Sequence, residues 1–144
     1  MEALKLSSQE IQYIALFERL TGAVTKDCIN DDEENKILFV VKKGDMGLAI
    51  GKKGSNIQRV RQALGKKVEV VEHSDDLVEF VKNAFHPVRV TDVSITAEGP
   101  QRKVARVVVD DRDRATAIGR RGKSIQKVKT LTERHHGISE VIVA

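Results

Sequence analysis

Apolar residues recur along this chain with two periods, and the alternation between them marks out its elements. Ile11, Ile14 and Ala15, with Tyr13, Leu16, Phe17 and Leu20, fall at helical spacing, so one face of a helix is expected to turn inward. Ser7 with Glu10 three positions later forms a capping box before that face, and Gly22 is a natural stop. Residues 23–30 alternate loosely, as a strand does. An acidic turn, Asp31-Asp32-Glu33-Glu34-Asn35, leads to Ile37-Leu38-Phe39-Val40-Val41, a strand run expected over 36–43. Gly44-Asp45 break it, with Asp45 the expected cap of a short helix ending at Ile50. A further helix is expected from Ser55 to Leu64, stopped by Gly65, and then a strand over 67–72.

The same order then returns. Ser74-Asp75-Asp76 cap a helix carrying Leu77, Val78, Val81, Ala84 and Phe85, and Pro87 blocks its continuation. Residues 88–97 read as a strand, Glu98-Gly99-Pro100 as a turn and 103–109 as a second strand. Asp110, Asp111 and Asp113 are expected at a helix N-terminus, with Asp113 standing where Asp45 stood. A helix from Lys123 to about His135, stopped by Gly137, and a strand over 139–143 complete the second half.

Within this doubled order one stretch is repeated almost residue for residue. Ala49-Ile50-Gly51-Lys52-Lys53-Gly54-Ser55-Asn56-Ile57-Gln58-Arg59-Val60 returns as Ala117-Ile118-Gly119-Arg120-Arg121-Gly122-Lys123-Ser124-Ile125-Gln126-Lys127-Val128, 68 positions later. Internal repetition of this kind means one supersecondary unit used twice. Each glycine permits a backbone conformation and a close approach that a Cβ would block. The helix expected after the second glycine presents unpaired amides and the positive end of its dipole. With two cations on the turn, the expected result is a phosphate site made largely of main chain.

Overall charge adds little to this, and its distribution adds much. The formal net charge is only +4, with 32% charged residues of both signs. No acid occurs over 46–68 or 115–132, so the field around each turn is cationic. Arg59, Arg61, Lys66 and Lys67 are candidates to extend the first positive strip, and Lys123, Lys127 and Lys129 the second. Ile57, Val60, Ile125 and Val128 read as core. Aromatic residues are 3% of the chain, and all five fall on helix faces or in strands, which argues against modules that stack bases on exposed rings.

The Ile-Gly-x-x-Gly-x-x-Ile pattern, at Ile50-Gly51-Lys52-Lys53-Gly54 and Ile118-Gly119-Arg120-Arg121-Gly122, resembles the signature of the KH RNA-binding domain, whose GxxG loop clamps the backbone of four nucleotides. Two such units in a short chain look like the archaeal members of the NusA transcription termination/antitermination family. The resemblance implies an α/β (α+β) fold of two tandem type II KH domains, over 1–73 and 74–144. Each would be a three-stranded mixed sheet with helices on one face, its last two strands parallel. It implies phosphate contact at Gly51, Lys52, Lys53, Gly54, Gly119, Arg120, Arg121 and Gly122, with Ile50 and Ile118 in an apolar floor beneath the bases and Arg59, Lys123 and Lys127 nearby. The implied ligand is single-stranded RNA, with RNA polymerase or other transcription factors as candidate protein partners. Bacterial relatives add a polymerase-binding domain and an S1 domain, for which these 144 residues leave no room. The junction at His73-Ser74 lacks a flexible linker, and a nearly fixed relation of the two halves is expected from it.

Two other readings of the turns stay open at this point. A KH protein of the ribosome or of ribosome assembly would use the same units on rRNA. Ala117-x-x-x-x-Gly122-Lys123-Ser124 lacks one glycine of a phosphate-binding loop of NTPases, with Val107-Val108-Val109-Asp110 imitating the accompanying strand. Against an NTPase, the first copy has Ser55-Asn56 where Lys-Ser is needed, and 114–118 reads as helix where a strand should enter the loop. One cysteine, Cys28, excludes an internal disulfide framework; it reads as a small buried residue. His73 and His86 show no ligand spacing; His135-His136, expected at a helix C-terminus, are read as structural in preference to a phosphate contact, and the acidic turn lacks the spaced oxygens of a calcium loop. No metal, cofactor or catalytic residue is expected. No signal peptide or membrane span is legible, and the expectation is a monomeric, soluble, cytoplasmic protein with no membrane partner.

Overall fold

A computed structural model describes residues 6–144; the first five positions of the domain expected over 1–73 lie outside it. The chain separates into two compact units between Ser74 and Asp75. Among the described residues each contains a three-stranded sheet and three α-helices.

In the first unit helix α1 spans Ser8–Thr21. The Glu10 amide donates to Ser7 Oγ and the Ser7 amide to the Glu10 carboxylate, both at 3.0 Å, closing the capping box the sequence announces. Gly22 ends the helix in the left-handed region at φ 78°. Strands β1 (Thr25–Asp31) and β2 (Lys36–Val41) pair antiparallel across the acidic turn. After helices α2 (Met46–Ile50) and α3 (Ser55–Leu64), β3 (Lys67–Glu72) returns parallel to β2, so β2 is the central strand. Its run from Ile37 to Val41 is buried on both faces, which is why it shows no alternation. Phe17 of α1 stacks on Phe39 of β2, ring centroids 4.2 Å apart, and both are fully buried. Each such side chain contributes roughly 1.5–3 kcal/mol by leaving water. Cys28 lies in the same core with no exposed surface.

The second unit repeats the plan with α4 (Leu77–Phe85), β4 (Val90–Ala97), β5 (Lys103–Val109), α5 (Arg114–Ile118), α6 (Lys123–His136) and β6 (Glu140–Val143). Again the central strand pairs antiparallel to its predecessor and parallel to its successor. Asp76 caps α4, accepting from the Val78 amide at 3.1 Å. β4 starts at Val90, later than the expected 88, because the Val88 amide still donates to the Phe85 carbonyl at 2.9 Å in the turn closing α4. His135 and His136, at the end of α6, pack against Phe80, with ring centroids 5.4 and 5.2 Å away.

Asp45 corrects one expectation. It occupies the position before α2 but makes no cap bond there. Its carboxylate accepts instead from the Val24 amide at 2.8 Å, tying the start of β1 to the end of β2. Asp113 likewise makes no cap bond before α5, whereas Asp110 accepts from the Arg112 amide at 3.3 Å in the turn just upstream.

Candidate nucleic-acid interface

Each glycine turn links a five-residue helix to the longer helix behind it. In the first, Gly51 stands at φ 76°, ψ 171°, and the Gly54 amide donates to the Gly51 carbonyl at 3.1 Å. Lys53 and Gly54 are both left-handed, at φ 54° and φ 75°. In the second, Gly119 stands at φ 81°, ψ 168°, Arg121 at φ 56° and Gly122 at φ 71°, with the same closing bond at 3.1 Å. The sequence repeat is thus a repeat of backbone geometry to within a few degrees.

The two glycines of each turn are required for different reasons. At Gly51 a Cβ would fall 2.7 Å from the Asn56 amide nitrogen, and at Gly119 2.7 Å from that of Ser124. Only a bare α-carbon lets the chain pass the start of the next helix so closely. At Gly54 and Gly122 the nearest atom to a Cβ would be 3.9 Å away; there only the positive φ favours glycine. Lys53 and Arg121 hold a left-handed conformation without that freedom, at about 1–2 kcal/mol each. Strain of this kind persists only where the surrounding structure over-determines the backbone. Nothing in a lysine or arginine predicts it, and the sequence reading missed it.

Lys52, Lys53, Arg120 and Arg121 are exposed, and no ion pair engages them among the described residues. Neither α3 nor α6 has a side-chain cap at its N-terminus. Each turn therefore sets two solvent-facing cations beside the positive end of a helix. Ile50 packs half-buried against the first core, and Ile118 is half-buried beside Gly119. Ile57, Val60 and Val128 are buried, and Ile125 is half-buried.

The outer cations divide into groups. Arg59 stays near its turn: its guanidinium donates to Asn56 Oδ1 at 2.6 Å and to the Leu20 carbonyl at 3.5 Å. Asn56, which the sequence reading passed over, also donates to the Leu48 carbonyl at 2.7 Å and so bolts α3 to α2 behind Gly51. Lys123 and Lys127 are half-buried on the opening turns of α6. Arg61, Lys66 and Lys67 gather at the far end of α3 instead. Arg61 donates to the Val68 carbonyl at 3.3 Å; Lys66 reaches Asp32 at 3.7 Å and lies over the Tyr13 ring at 5.5 Å. Lys129 is bound to Glu140 at 2.9 Å. That hydrogen bond and charge hold the Glu140 carboxyl below its ordinary range, with Arg102 adding to the effect.

An NTPase loop does not fit this geometry. The chain enters the second turn from helix α5, and the strand that would supply the accompanying aspartate is β5, directly upstream. No group of three or more His, Cys, Asp or Glu side chains suited to a metal ion occurs among the described residues. No helix among them is long and apolar enough to cross a membrane.

Comparison with known proteins gives a consistent result. The KH domain family matches residues 11–95, and the NusA-like second KH domain family matches residues 77–142. The probable transcription termination protein NusA of Methanococcus vannielii is 41% identical over 97% of this chain and 79% of its own length. The protein of that name from Halococcus morrhuae is 38% identical over 96% of this chain and 97% of its own. Among solved structures, the crystal structure of APE1850 matches with a TM-score of 0.82 at 34% identity, covering 96% of this chain and all of that one.

Proposed function

The chain belongs to the NusA family, and from that premise we propose that it binds single-stranded RNA through its two glycine turns and acts in transcription termination or antitermination. Residues 1–73 and 74–144 are then two KH domains, each offering one grip on the strand. The observation that carries this reading is the near-identity of the two turns, down to a left-handed basic residue in each.

The work of the turn follows from its atoms. A phosphate beside Gly51–Gly54 or Gly119–Gly122 meets the amide-rich end of α3 or α6, where donors need no reorganisation. Lys52, Lys53, Arg120 and Arg121 add charge, which raises affinity without regard to base. The glycines let the sugar-phosphate chain approach the main chain itself. Ile50 and Ile118 supply an aliphatic floor for unstacked bases, which suits a chain whose aromatic rings are so few. Arg59, held by Asn56, keeps its charge near the first grip, and Lys123 and Lys127 theirs near the second. The protein acts as a binding factor and not as an enzyme, with RNA polymerase or another transcription factor as its protein partner.

The test replaces Lys52, Lys53, Arg120 and Arg121 by Asp. Aspartate tolerates the left-handed positions 53 and 121, so circular dichroism should stay native. Affinity for short labelled single-stranded RNA, read by fluorescence anisotropy, should fall about 100-fold or more at low salt. Unchanged affinity in the folded variant would refute the grip.

A further inference from the structure

At the far end of α3 the first unit carries an open depression of about 540 Å3, lined by Asn35, Lys36, Arg61, Lys66, Lys67 and Glu69 among others. Four cations there face one carboxylate. Glu69 pairs with Lys36 at 3.3 Å, which leaves the lining with an excess of three positive charges. Arg61 uses one guanidinium N–H on the Val68 carbonyl. Lys66 leans toward Asn30 Oδ1 at 3.3 Å and toward Asp32, a mostly solvated carboxylate outside the lining. A guanidinium has five donors and an ammonium three, so most donors of the lining are not consumed by these contacts. The C-terminal dipole of α3 opposes an anion here, but it amounts to only about half a charge.

The second unit is built differently at the matching place. Gly137 follows α6 as Gly65 follows α3, but Ile138 and Ser139 stand where the first unit has Lys66 and Lys67. Ile138 is buried in the core. Glu133 stands four residues before Gly137 as Arg61 stands four before Gly65, and Lys129, one turn earlier in α6, is bound to Glu140. The turns are alike in the two units, but Arg61, Lys66 and Lys67 are not repeated in the second.

Resting on the RNA-binding reading above, we propose that the depression holds a backbone phosphate of the same RNA strand, one groove length beyond the Gly51–Gly54 turn. α3 has ten residues, about 15 Å of rise, and a KH groove holds about four nucleotides. A strand gripped at the N-terminus of α3 and laid along it brings its next phosphates to Arg61, Lys66 and Lys67. The same charge would suit an acidic peptide; continuity with the turn along one helix is what favours RNA. The first unit then binds a longer stretch than the second.

Affinities for randomised single-stranded RNA of about four and about eight nucleotides would be measured for the wild type, for Lys67→Glu, and for Lys103→Glu, the same charge change in the second unit. The wild type and Lys103→Glu should gain about tenfold on lengthening the RNA. Lys67→Glu should lose most of that gain and keep its affinity for the short pool. Amide resonances of Gly65, Lys66 and Lys67 should shift with the long pool and not with the short one. An undiminished gain in Lys67→Glu overturns the proposal, as do shifts at these amides with poly-glutamate but not with RNA. If the wild type binds neither pool, the RNA-binding reading itself fails; if the turn variant loses the short pool while Lys67→Glu keeps the full gain, only the depression is refuted.

Discussion

Replacing Gly51 by alanine should do far more damage than replacing Gly54, although the two stand three residues apart in one turn. At Gly51 the new methyl would lie 2.7 Å from both the amide nitrogen and Cγ of Asn56 and 2.9 Å from its Cβ. The backbone conformation, φ 76° and ψ 171°, belongs to glycine, and forcing another residue into it costs about 1–3 kcal/mol. Crowding against atoms that cannot retreat without moving α3 adds about 1–3 kcal/mol. The sum is about 4 kcal/mol, a large share of the roughly 5–15 kcal/mol that holds a small domain folded. Gly54→Ala makes only an ordinary contact with Ile57 at 3.9 Å and carries the left-handed cost of about 1–2 kcal/mol. Gly47→Ala, in helix α2 with nothing within 4 Å, should instead stabilise by about 1 kcal/mol. Guanidinium denaturation followed by circular dichroism would rank the three. Asn56→Ala should not rescue Gly51→Ala, because the amide nitrogen at 2.7 Å stays in place. A rescue, or equal costs at Gly51 and Gly54, would refute the close-approach argument.

Lys53→Gly and Arg121→Gly should each raise the denaturation midpoint, by about 1 kcal/mol of released strain, while weakening RNA binding, so stability and affinity move in opposite directions in the same variant. The logarithm of RNA affinity should fall with the logarithm of salt at a slope of about −2.8 if the four turn cations make the phosphate contacts, and the four-aspartate variant should lose that dependence; a steep slope surviving in it would place the contacts elsewhere. Glu140 should titrate below the ordinary carboxylate range in an NMR pH series. Because its folded value is depressed, the stabilisation it gives β6 is complete above about pH 4.3 and is lost as pH falls through the lowered value; Lys129→Ala should raise the midpoint, since Lys129 is the largest cause of the depression.

Much of the architecture was legible because it is written in local patterns. The capping box at Ser7 and Glu10, the apolar run of β2 and the glycine stops at 22, 65 and 137 each act over a few residues, and the repeat assigned the second half by analogy with the first. The geometry of the turn was legible in part. Glycine spacing announced positive φ and close approach, but not the left-handed Lys53 and Arg121 inside the turns, because lysine and arginine carry no such preference of their own. Asp45 misled because its partner, the Val24 amide, lies 21 residues away, and a short acidic side chain before a helix looks the same whichever amide it serves. Which of the outer cations extend a positive strip is not legible, because charge order along a sequence does not say which lysine a neighbouring strand recruits. Lys66 goes to Asp32, Asn30 and Tyr13, and Lys129 goes to Glu140.

The fully enclosed position of Cys28 has a practical use. It is the one thiol in the chain, and it sits in the core of the first unit. An alkylating reagent can reach it only when that core opens. The rate of its modification under native conditions is therefore a clock for unfolding of the first half alone, while the cysteine-free second half stays silent. A labelling time course, run with and without bound ligand, would weigh the opening free energy of one repeat without any engineered probe.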